Sequence, residues 1–471
     1  MSGDRELGFM SAHALLEAYR RKTLSPVEAT KAALARLERL EPKLNAFVLV
    51  DADGALAAAR DSEARWAKGT PQGLVDGVPT TIKDIVLTKG WPTLRGSRLT
   101  KRDQAWTEDA PAVARLREHG AVFLGKTTTP EIGWKALGDS PLTGITRNPW
   151  NLAHTPGGSS AGAAAALAAG IGALAIGTDG GGSIRIPAAF CSIAGIKATF
   201  GRVPAYPPSA MGLLSHVGPM ARTVADTALM LSVLAGTDSR DPYHLPGRDP
   251  RHEGDYRGGL DDGIKGLRIA ASGTLGYARV DPEIAAAFAR AVDAFGELGA
   301  AVEACDPGFA SPRDAFTVLW TAGAARALGG TSAAERSLMD PGLVASIEAG
   351  SKLSAIDYLD ADAARSALGQ TMGEFHERFD LLLTPTVAVP ALPVGADLAD
   401  PTTERYWIDW TPFSYPFNMT RQPAATVPCG VTKAGLPIGL QIVGRLYEEN
   451  LVLRAARAFE ATQPARWPAL D

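Results

Sequence analysis

The stretch that decides the fold runs from Thr155 to Thr199 and reads TPGGSSAGAAAALAAGIGALAIGTDGGGSIRIPAAFCSIAGIKAT. It contains two glycine turns that each carry serine, GGSS at residues 157–160 and GGGS at residues 180–183. Residues 161–177 between the turns carry no charge and almost no bulk. Glycine before a serine lets the backbone approach a ligand closely. The stretch therefore predicts an active-site scaffold that is packed tightly inside the protein.

Composition limits the classes of protein and partner that need to be considered. The chain has 471 residues, of which 46% are hydrophobic and 21% are charged, as in ordinary globular proteins. The net charge is −4 and no block of five or more Lys and Arg residues occurs, so we expect neither nucleic acid nor a membrane as partner. The three cysteines form no disulfide or zinc pattern, and the first residues lack an apolar signal segment. We expect a cytoplasmic protein.

The uncharged run at residues 155–178 is long enough to raise the question of a membrane span. It consists mostly of Ala and Gly, and glycines interrupt both of its ends. A buried helix at 160–169 that leads into a buried strand at 173–178 explains it better.

Helical and strand patterns alternate along the whole chain. Ser25-Pro26-Val27-Glu28 is a capping box with proline at the first helical position. The near-continuous apolar strands predict an α/β fold, with a mixed, twisted β-sheet covered by helices on both faces. We predict one large domain over residues 1–471. Its parts are a helical N-terminal layer at 1–70, a core at 71–235, a surface connection at 236–265 and the remainder at 266–471.

Lys83 is the unusual residue of the predicted strand VPTTIKDIV at residues 78–86. A lysine between Ile82 and Ile85 lies either on a solvated face or in the interior for a specific reason. Because lysine is rarely buried without a partner, the strand pattern taken alone favours the solvated face.

Residues 158–162 match the pattern G-x-S-x-G with Ser160 at the nucleophile position, as in the elbow of α/β-hydrolase esterases. Such an elbow follows a strand, and residues 148–156 do not resemble one. An acid and a histidine should follow in order, but Asp226 and His244 or His252 lie in helical or connecting sequence. An esterase of this type therefore remains an alternative that the pattern only weakly supports.

Phosphate-binding and metal-binding motifs are not supported. Neither glycine cluster ends in Gly-Lys-Ser/Thr, as a phosphate loop requires. The seven histidines occur singly, without a paired ligand spacing. We therefore expect no cofactor and no metal.

Serine chemistry without histidine is the remaining possibility. The three glycines before Ser183 can direct their N–H groups to one point, which would bind an oxyanion. Lys83 could serve as the base if burial favours its neutral amine, and Ser159 could relay the proton. Tight turns without a catalytic role explain such glycine clusters equally well on the residues alone.

Three segments resemble the amidase signature family. GGSSAGAAAALAAGIGALAIGTDGGGSIRIPAAFCSIAGIKATFGRV resembles the signature of that family almost throughout, and DGVPTTIKDIV and GLPIGLQIVG resemble two further motifs. The resemblance covers about residues 10–460.

The resemblance implies a role for each matching residue. Ser183 would be the nucleophile, Ser159 the bridging serine after a cis peptide bond, and Lys83 the base. The oxyanion hole would be formed by backbone N–H groups, and four residues would brace the turn. The oxyanion-hole residues would be Gly180, Gly181, Gly182 and Ser183, and the bracing residues Ser160, Thr178, Asp179 and Arg185.

Two positions depart from the family pattern. Gly180 stands where relatives often carry a bulkier residue, which should loosen the turn or open room near the acyl group. Thr128 stands where many relatives have asparagine, so the rim of the pocket should differ. Trp134 and the aromatic residues at 406–415 suggest an apolar or aryl part of the substrate.

The resemblance predicts an amidase that hydrolyses the C–N bond of a small carboxylic amide, or a carbamate, through a serine acyl-enzyme. The products are a carboxylate and ammonia or an amine. We expect a monomer or homodimer. An alternative is the amidase subunit of a tRNA-dependent amidotransferase, which works with partner proteins.

Overall fold

A mixed sheet of eleven strands extends through the part of the chain that the computed structural model describes, residues 3–245 and 254–470. Residues 3–5 are described by their backbone alone. Residues 246–253 of the predicted surface connection, including His252, lie outside the described residues.

The strands form the sheet in the order β1-β3-β2-β6-β8-β7-β12-β13-β11-β9-β10, and β4 and β5 form a separate pair. Strand β2 is parallel to β3 and β6, β9 is parallel to β10 and β11, and the other pairs are antiparallel. The predicted mixed sheet is confirmed. The strands are β1 Phe47–Val50, β2 Pro79–Lys83, β3 Val122–Thr127, β4 Asp139–Ser140, β5 Gly144–Ile145, β6 Leu174–Asp179, β7 Ala194–Lys197, β8 His216–Ala221, β9 Arg268–Ala271, β10 Ala301–Ala304, β11 Leu381–Pro385, β12 Ala424–Val431 and β13 Pro437–Gly444.

Helices fill most of the connections between these strands. They are α1 Gly3–Gly8, α2 Ala12–Arg20, α3 Pro26–Leu44, α4 Ala52–Lys68, α5 Pro111–Glu118, α6 Ala161–Ala168, α7 Arg185–Cys191, α8 Val224–Leu234, α9 Pro282–Glu297, α10 Arg313–Leu328, α11 Ala333–Arg336, α12 Pro341–Gly350, α13 Ala355–Arg378, α14 Tyr415–Met419 and α15 Glu449–Glu460. The capping box at Ser25 begins α3, as predicted.

Strand β6 shows that helices cover both faces of the sheet. Successive side chains of a strand point to opposite faces. Leu174 and Ile176 pack in one core cluster with Leu229 of α8, whereas Ala175 packs in another with Ala164 of α6. The two helices therefore lie on opposite faces, as the apolar strands predict.

The N-terminal segment differs from the prediction in one respect. Residues 1–70 do not form a purely helical layer, because β1 joins the sheet at its edge, antiparallel to β3. Four residues are too few for a clear alternation in the sequence. Among the described residues, no helix combines the length and apolar character needed to cross a bilayer.

Candidate active site

Lys83 is the last residue of β2 and is completely buried. Its neighbour Ile82 packs in the cluster on the α8 face, so Lys83 points to the opposite face, where α6 lies. Ile82 pairs with Ile176 of the parallel strand β6, so both strands end beside the glycine turns. The solvated position favoured by the strand pattern alone is wrong, because helices cover both faces of this sheet.

Three hydroxyl groups surround the amine of Lys83. The Nζ atom lies 2.7 Å from Ser159 Oγ, 2.8 Å from Thr178 Oγ1 and 3.0 Å from Ser160 Oγ. Burial lowers the pKa of Lys83 well below its usual value, and the charge of Asp179 only partly opposes this effect. The site therefore favours a neutral lysine that is surrounded by hydroxyls.

The two glycine turns meet through their main chains. The N–H of Ser160 donates to the carbonyl of Ser183 at 3.2 Å, and the Gly158–Ser159 peptide bond is cis, as the resemblance implies. Among the described residues the Ser183 hydroxyl has no hydrogen-bond partner. A Cβ atom on Gly133 would lie 3.0 Å from Ser159 Oγ, so the loop after β3 also contacts this turn.

Asp179 organises the second turn. Its carboxylate accepts hydrogen bonds from the N–H of Gly182 at 2.8 Å and of Ile184 at 3.1 Å. The N–H of Gly182 is therefore not free to bind an oxyanion, contrary to the expectation from the sequence. Within the described residues no such bond engages the N–H groups of Gly180 or Gly181.

Arg185 holds Asp179 from the other side. Its guanidinium donates to both carboxylate oxygens of Asp179, at 2.9 and 3.0 Å, and both side chains are fully buried. Burial alone would raise the pKa of Asp179, but Arg185 and Asn418 hold it below its usual range. Arg185 also donates to the carbonyl of Ser414 and to Gln441 Oε1, which ties the turn to the C-terminal part of the sheet.

This arrangement gives a prediction for stability. Asp179→Ala removes the partner of a buried guanidinium, and breaking such a pair typically costs about 3–5 kcal/mol. We expect a lower urea midpoint and loss of activity. Asp179→Asn keeps the shape and should lose less stability. Unchanged urea midpoints in both variants would contradict a stabilising role of the Asp179–Arg185 pair.

An aromatic wall of Phe316, Trp320 and Trp407 lies behind the turn at residues 180–183. A Cβ atom on Gly180 would lie 3.0 Å from the ring of Trp320, and one on Gly181 would lie 2.9 Å from that of Phe316. The room expected from the glycine at position 180 is therefore absent in the described structure, because the ring of Trp320 fills it. The aromatic cluster at 406–415 contributes Trp407 to this wall.

A cavity of about 270 Å³ adjoins Thr178, whose hydroxyl is one of the three around the Lys83 amine. Its lining is mostly apolar and includes Ile85, Ile132, Tyr206, Met211 and Leu328. It therefore offers an apolar subsite beside the buried amine.

The two predicted pocket residues do not line this cavity. Thr128 is 1% exposed, and its hydroxyl lies 2.6 Å from Thr146 Oγ1. Trp134 is 6% exposed, and its carbonyl accepts a hydrogen bond from Trp320 Nε1 at 3.1 Å. Their contact with a substrate stays a prediction.

Sequence reasoning missed three polar residues that position the turn: Ser414, Asn418 and Gln441. Asn418 donates to Asp179 at 2.8 Å and Ser414 donates to the carbonyl of Gly181 at 2.6 Å. Gln441 stands in the GLPIGLQIVG motif, which was the only signal for any of them. No group of three or more metal-ligating side chains occurs in the described part of the chain.

Known proteins resemble this chain in sequence and in fold. A family model described as Amidase matches residues 28–453. An acylamidase of Rhodococcus erythropolis is 37% identical over 98% of this chain and 97% of its own length. A glutamyl-tRNA(Gln) amidotransferase subunit of Geobacter metallireducens is 36% identical over 98% of each chain. The structure of a bacterial aryl acylamidase superposes with a TM-score of 0.90 at 33% identity, covering 97% of each chain.

The fold and the matches together define an α/β amidohydrolase. The chain belongs to the amidase signature family.

Proposed function

We propose that this amidohydrolase cleaves small amides with an apolar or aryl group, using Ser183 as nucleophile, Ser159 as bridging serine and Lys83 as base. The observation that carries the proposal is the contact of 2.7 Å between the buried Lys83 amine and Ser159 Oγ, beside the turn that bears Ser183.

The three hydroxyl groups that contact Lys83 suggest which of them passes a proton to its amine. Ser160 Oγ donates to the carbonyl of Thr178 at 3.2 Å, so its oxygen is available to accept from Lys83. A neutral amine has two N–H groups and one lone pair. If it donates to Ser160 and Thr178, its lone pair is left for the Ser159 hydroxyl, which is the nearest of the three.

The chemistry follows from this arrangement. Ser183 Oγ attacks the amide carbonyl while its proton passes to Ser159, whose own proton passes to Lys83. The oxyanion is bound by the N–H groups of Gly180, Gly181 and Ser183. Lys83 returns the proton through Ser159 to the leaving amine as the C–N bond breaks. Water, activated along the same route, then cleaves the ester and releases the carboxylate.

The cavity beside Thr178 supports the proposal that the substrate carries an apolar or aryl substituent. Burying such a group there would contribute about 1.5–3 kcal/mol, which corresponds to a preference of roughly 10- to 100-fold. The similarity to an acylamidase and to an aryl acylamidase points in the same direction.

The test is a substrate panel with the purified chain and no added partner. We expect kcat/KM for hexanamide to exceed that for acetamide by at least about 10-fold, because both release ammonia and differ only in the length of the apolar chain. Ile132→Asp, which places a charge at the cavity wall, should reduce this ratio. Equal values for the two substrates would contradict the apolar subsite while leaving amide hydrolysis intact.

The amidase subunit of a tRNA-dependent amidotransferase is the second candidate, because a relative of that kind covers almost the whole chain. It requires partner proteins. Glutamine hydrolysis that appears only when copurified subunits are present would favour it over a free amidase.

The esterase with Ser160 in a nucleophile elbow fits the structure poorly. No strand precedes Ser160 in the described segment 146–159. Its supposed acid, Asp226, accepts hydrogen bonds from the N–H groups of Ala12 and His13.

A further inference from the structure

A groove of about 580 Å³ lies between one face of α13 and the segments 419–422 and 445–446. None of the residues proposed for catalysis lines it. We infer that this groove, called here the α13 groove, binds an organic oxyanion that carries hydroxyl groups, such as a polyol phosphate or a polyhydroxy acid. This inference is independent of the proposed function.

Two glycines of α13 keep the groove open. Gly369 and Gly373 lie one helical turn apart, and a Cβ atom on either would meet no atom within 4 Å. Glycine inside a helix is less stable than alanine by about 1 kcal/mol. The helix thus carries two unfavourable residues where side chains would otherwise occupy the groove.

Arg421 supplies the positive charge. Among the described residues its guanidinium donates no hydrogen bond, although it is half-buried and lies 5.4 Å from the centre of the Phe200 ring. Its φ of +63° is in the left-handed region, which is uncommon for a residue other than glycine. A guanidinium without a partner is suited to bidentate binding of an oxyanion.

Among the described residues, Arg421 is the one guanidinium of the lining that has no ion-pair partner. Arg365 and Arg445 also line the groove, and their carboxylate partners are Asp362 at 2.7 Å and Asp380 at 3.2 Å. Glu377 is the one carboxylate among the lining residues. Two of the three lining guanidinium groups are therefore already paired with carboxylates, which leaves Arg421 as the candidate for binding an anion.

Three buried polar atoms in the walls have no hydrogen-bond partner in the described part of the chain: His376 Nε2, Gln422 Oε1 and Thr420 Oγ1. His376 Nδ1 lies 3.1 Å from the carbonyl of Phe379, so Nδ1 carries the proton and Nε2 is an acceptor. Burial lowers the pKa of His376 to about 4, which keeps the ring neutral near pH 7. Gln422 Nε2 donates to the carbonyl of Gly444, so Oε1 is also an acceptor.

These atoms define the chemistry of the ligand. A guanidinium favours an oxyanion, and acceptor atoms favour O–H groups. A buried polar atom without a partner costs about 1–3 kcal/mol, so a ligand hydroxyl that bonds to these atoms would contribute to binding. The groove has the volume of a small-molecule site.

The test is calorimetric titration of the full chain with glycerol 3-phosphate and with glycerate, at ionic strength held constant with NaCl. We expect saturable binding of at least one of them, and a Kd at least 10-fold higher in Arg421→Leu. The matched control is Arg378→Leu on the same helix, because Arg378 is exposed and does not line the groove. It should bind as the wild type does.

A second variant separates binding from folding. Gly369→Leu fills the groove without removing a charge, and leucine favours the helix, so it should fold and lose binding. Binding of glycerol 3-phosphate alone assigns a phosphate ligand, and binding of glycerate alone assigns a carboxylate. Heats no different from those of NaCl, or unchanged affinity in both Arg421→Leu and Gly369→Leu, would overturn the inference.

Discussion

Ser183→Ala should lower kcat for an anilide by about four to six orders of magnitude while the protein remains folded. The hydroxyl that would attack the carbonyl is removed, and its loss breaks no hydrogen bond within the described residues. The measurement is release of p-nitroaniline by the purified variant, with circular dichroism to verify the fold. A fluorophosphonate should label the wild type at Ser183, as mapped by mass spectrometry.

Ser62→Ala is the matched control, because Ser62 is also a buried serine without a hydrogen-bond partner among the described residues, but it lies on α4 outside the site. It should keep the wild-type rate. If Ser183→Ala kept that rate and Ser160→Ala did not, the nucleophile would be Ser160 and the elbow alternative would replace our proposal.

Lys83→Met should lower kcat/KM by about 10²–10⁴-fold, the usual contribution of a general base. In the wild type, activity requires the neutral amine, so it should fall on the acid side as Lys83 becomes protonated. Because burial lowers the pKa of Lys83, this fall in kcat/KM should occur at a pH well below the usual lysine pKa of about 10.4. The measurement is a pH profile of kcat/KM.

Lys126→Met is the control for that profile, since Lys126 is also buried and burial lowers its pKa to about 8. In this variant, kcat/KM should fall on the acid side at the same pH as in the wild type. A flat wild-type profile down to pH 5 would exclude a lysine base.

The same pKa shift links Lys83 to stability. Between its folded pKa and about 10.4, the unfolded chain binds a proton that the folded chain does not, so its contribution to stability rises with pH. Lys83→Met should remove this part of the pH dependence of the urea midpoint.

The sequence was sufficient to predict those features that depend on local pattern. The capping box at Ser25, helix α6 and strand β6 lie within two residues of their predicted places. The apolar strands predicted a sheet covered on both faces. The signature motifs predicted the family, which the comparisons show.

Features that depend on distant contacts could not be predicted. The burial of Lys83 depends on helix α6 covering its face of β2, which the strand pattern alone does not reveal and which only the family resemblance implied. The N–H of Gly182 is engaged because Arg185, Asn418 and Gln441 fix the orientation of Asp179. The ring that fills the space at Gly180 comes from α10. The contacts of Asp179 with Gly182 and Arg185 are local, but those made by Asn418, Gln441 and Trp320 join segments that are far apart along the chain.

The partners of Arg185 have a consequence for the synthesis of the protein. A chain is synthesised from its N-terminal end, and a domain generally folds as a unit. Lys83, Ser159 and Ser183 are all translated early, but Asn418 and Gln441, which hold Arg185 and Asp179 in place, are translated much later. We therefore expect a nascent chain to be inactive until Asn418 and Gln441 have packed beside Asp179 and Arg185. Fragments split before β12 should regain activity only when the two pieces recombine.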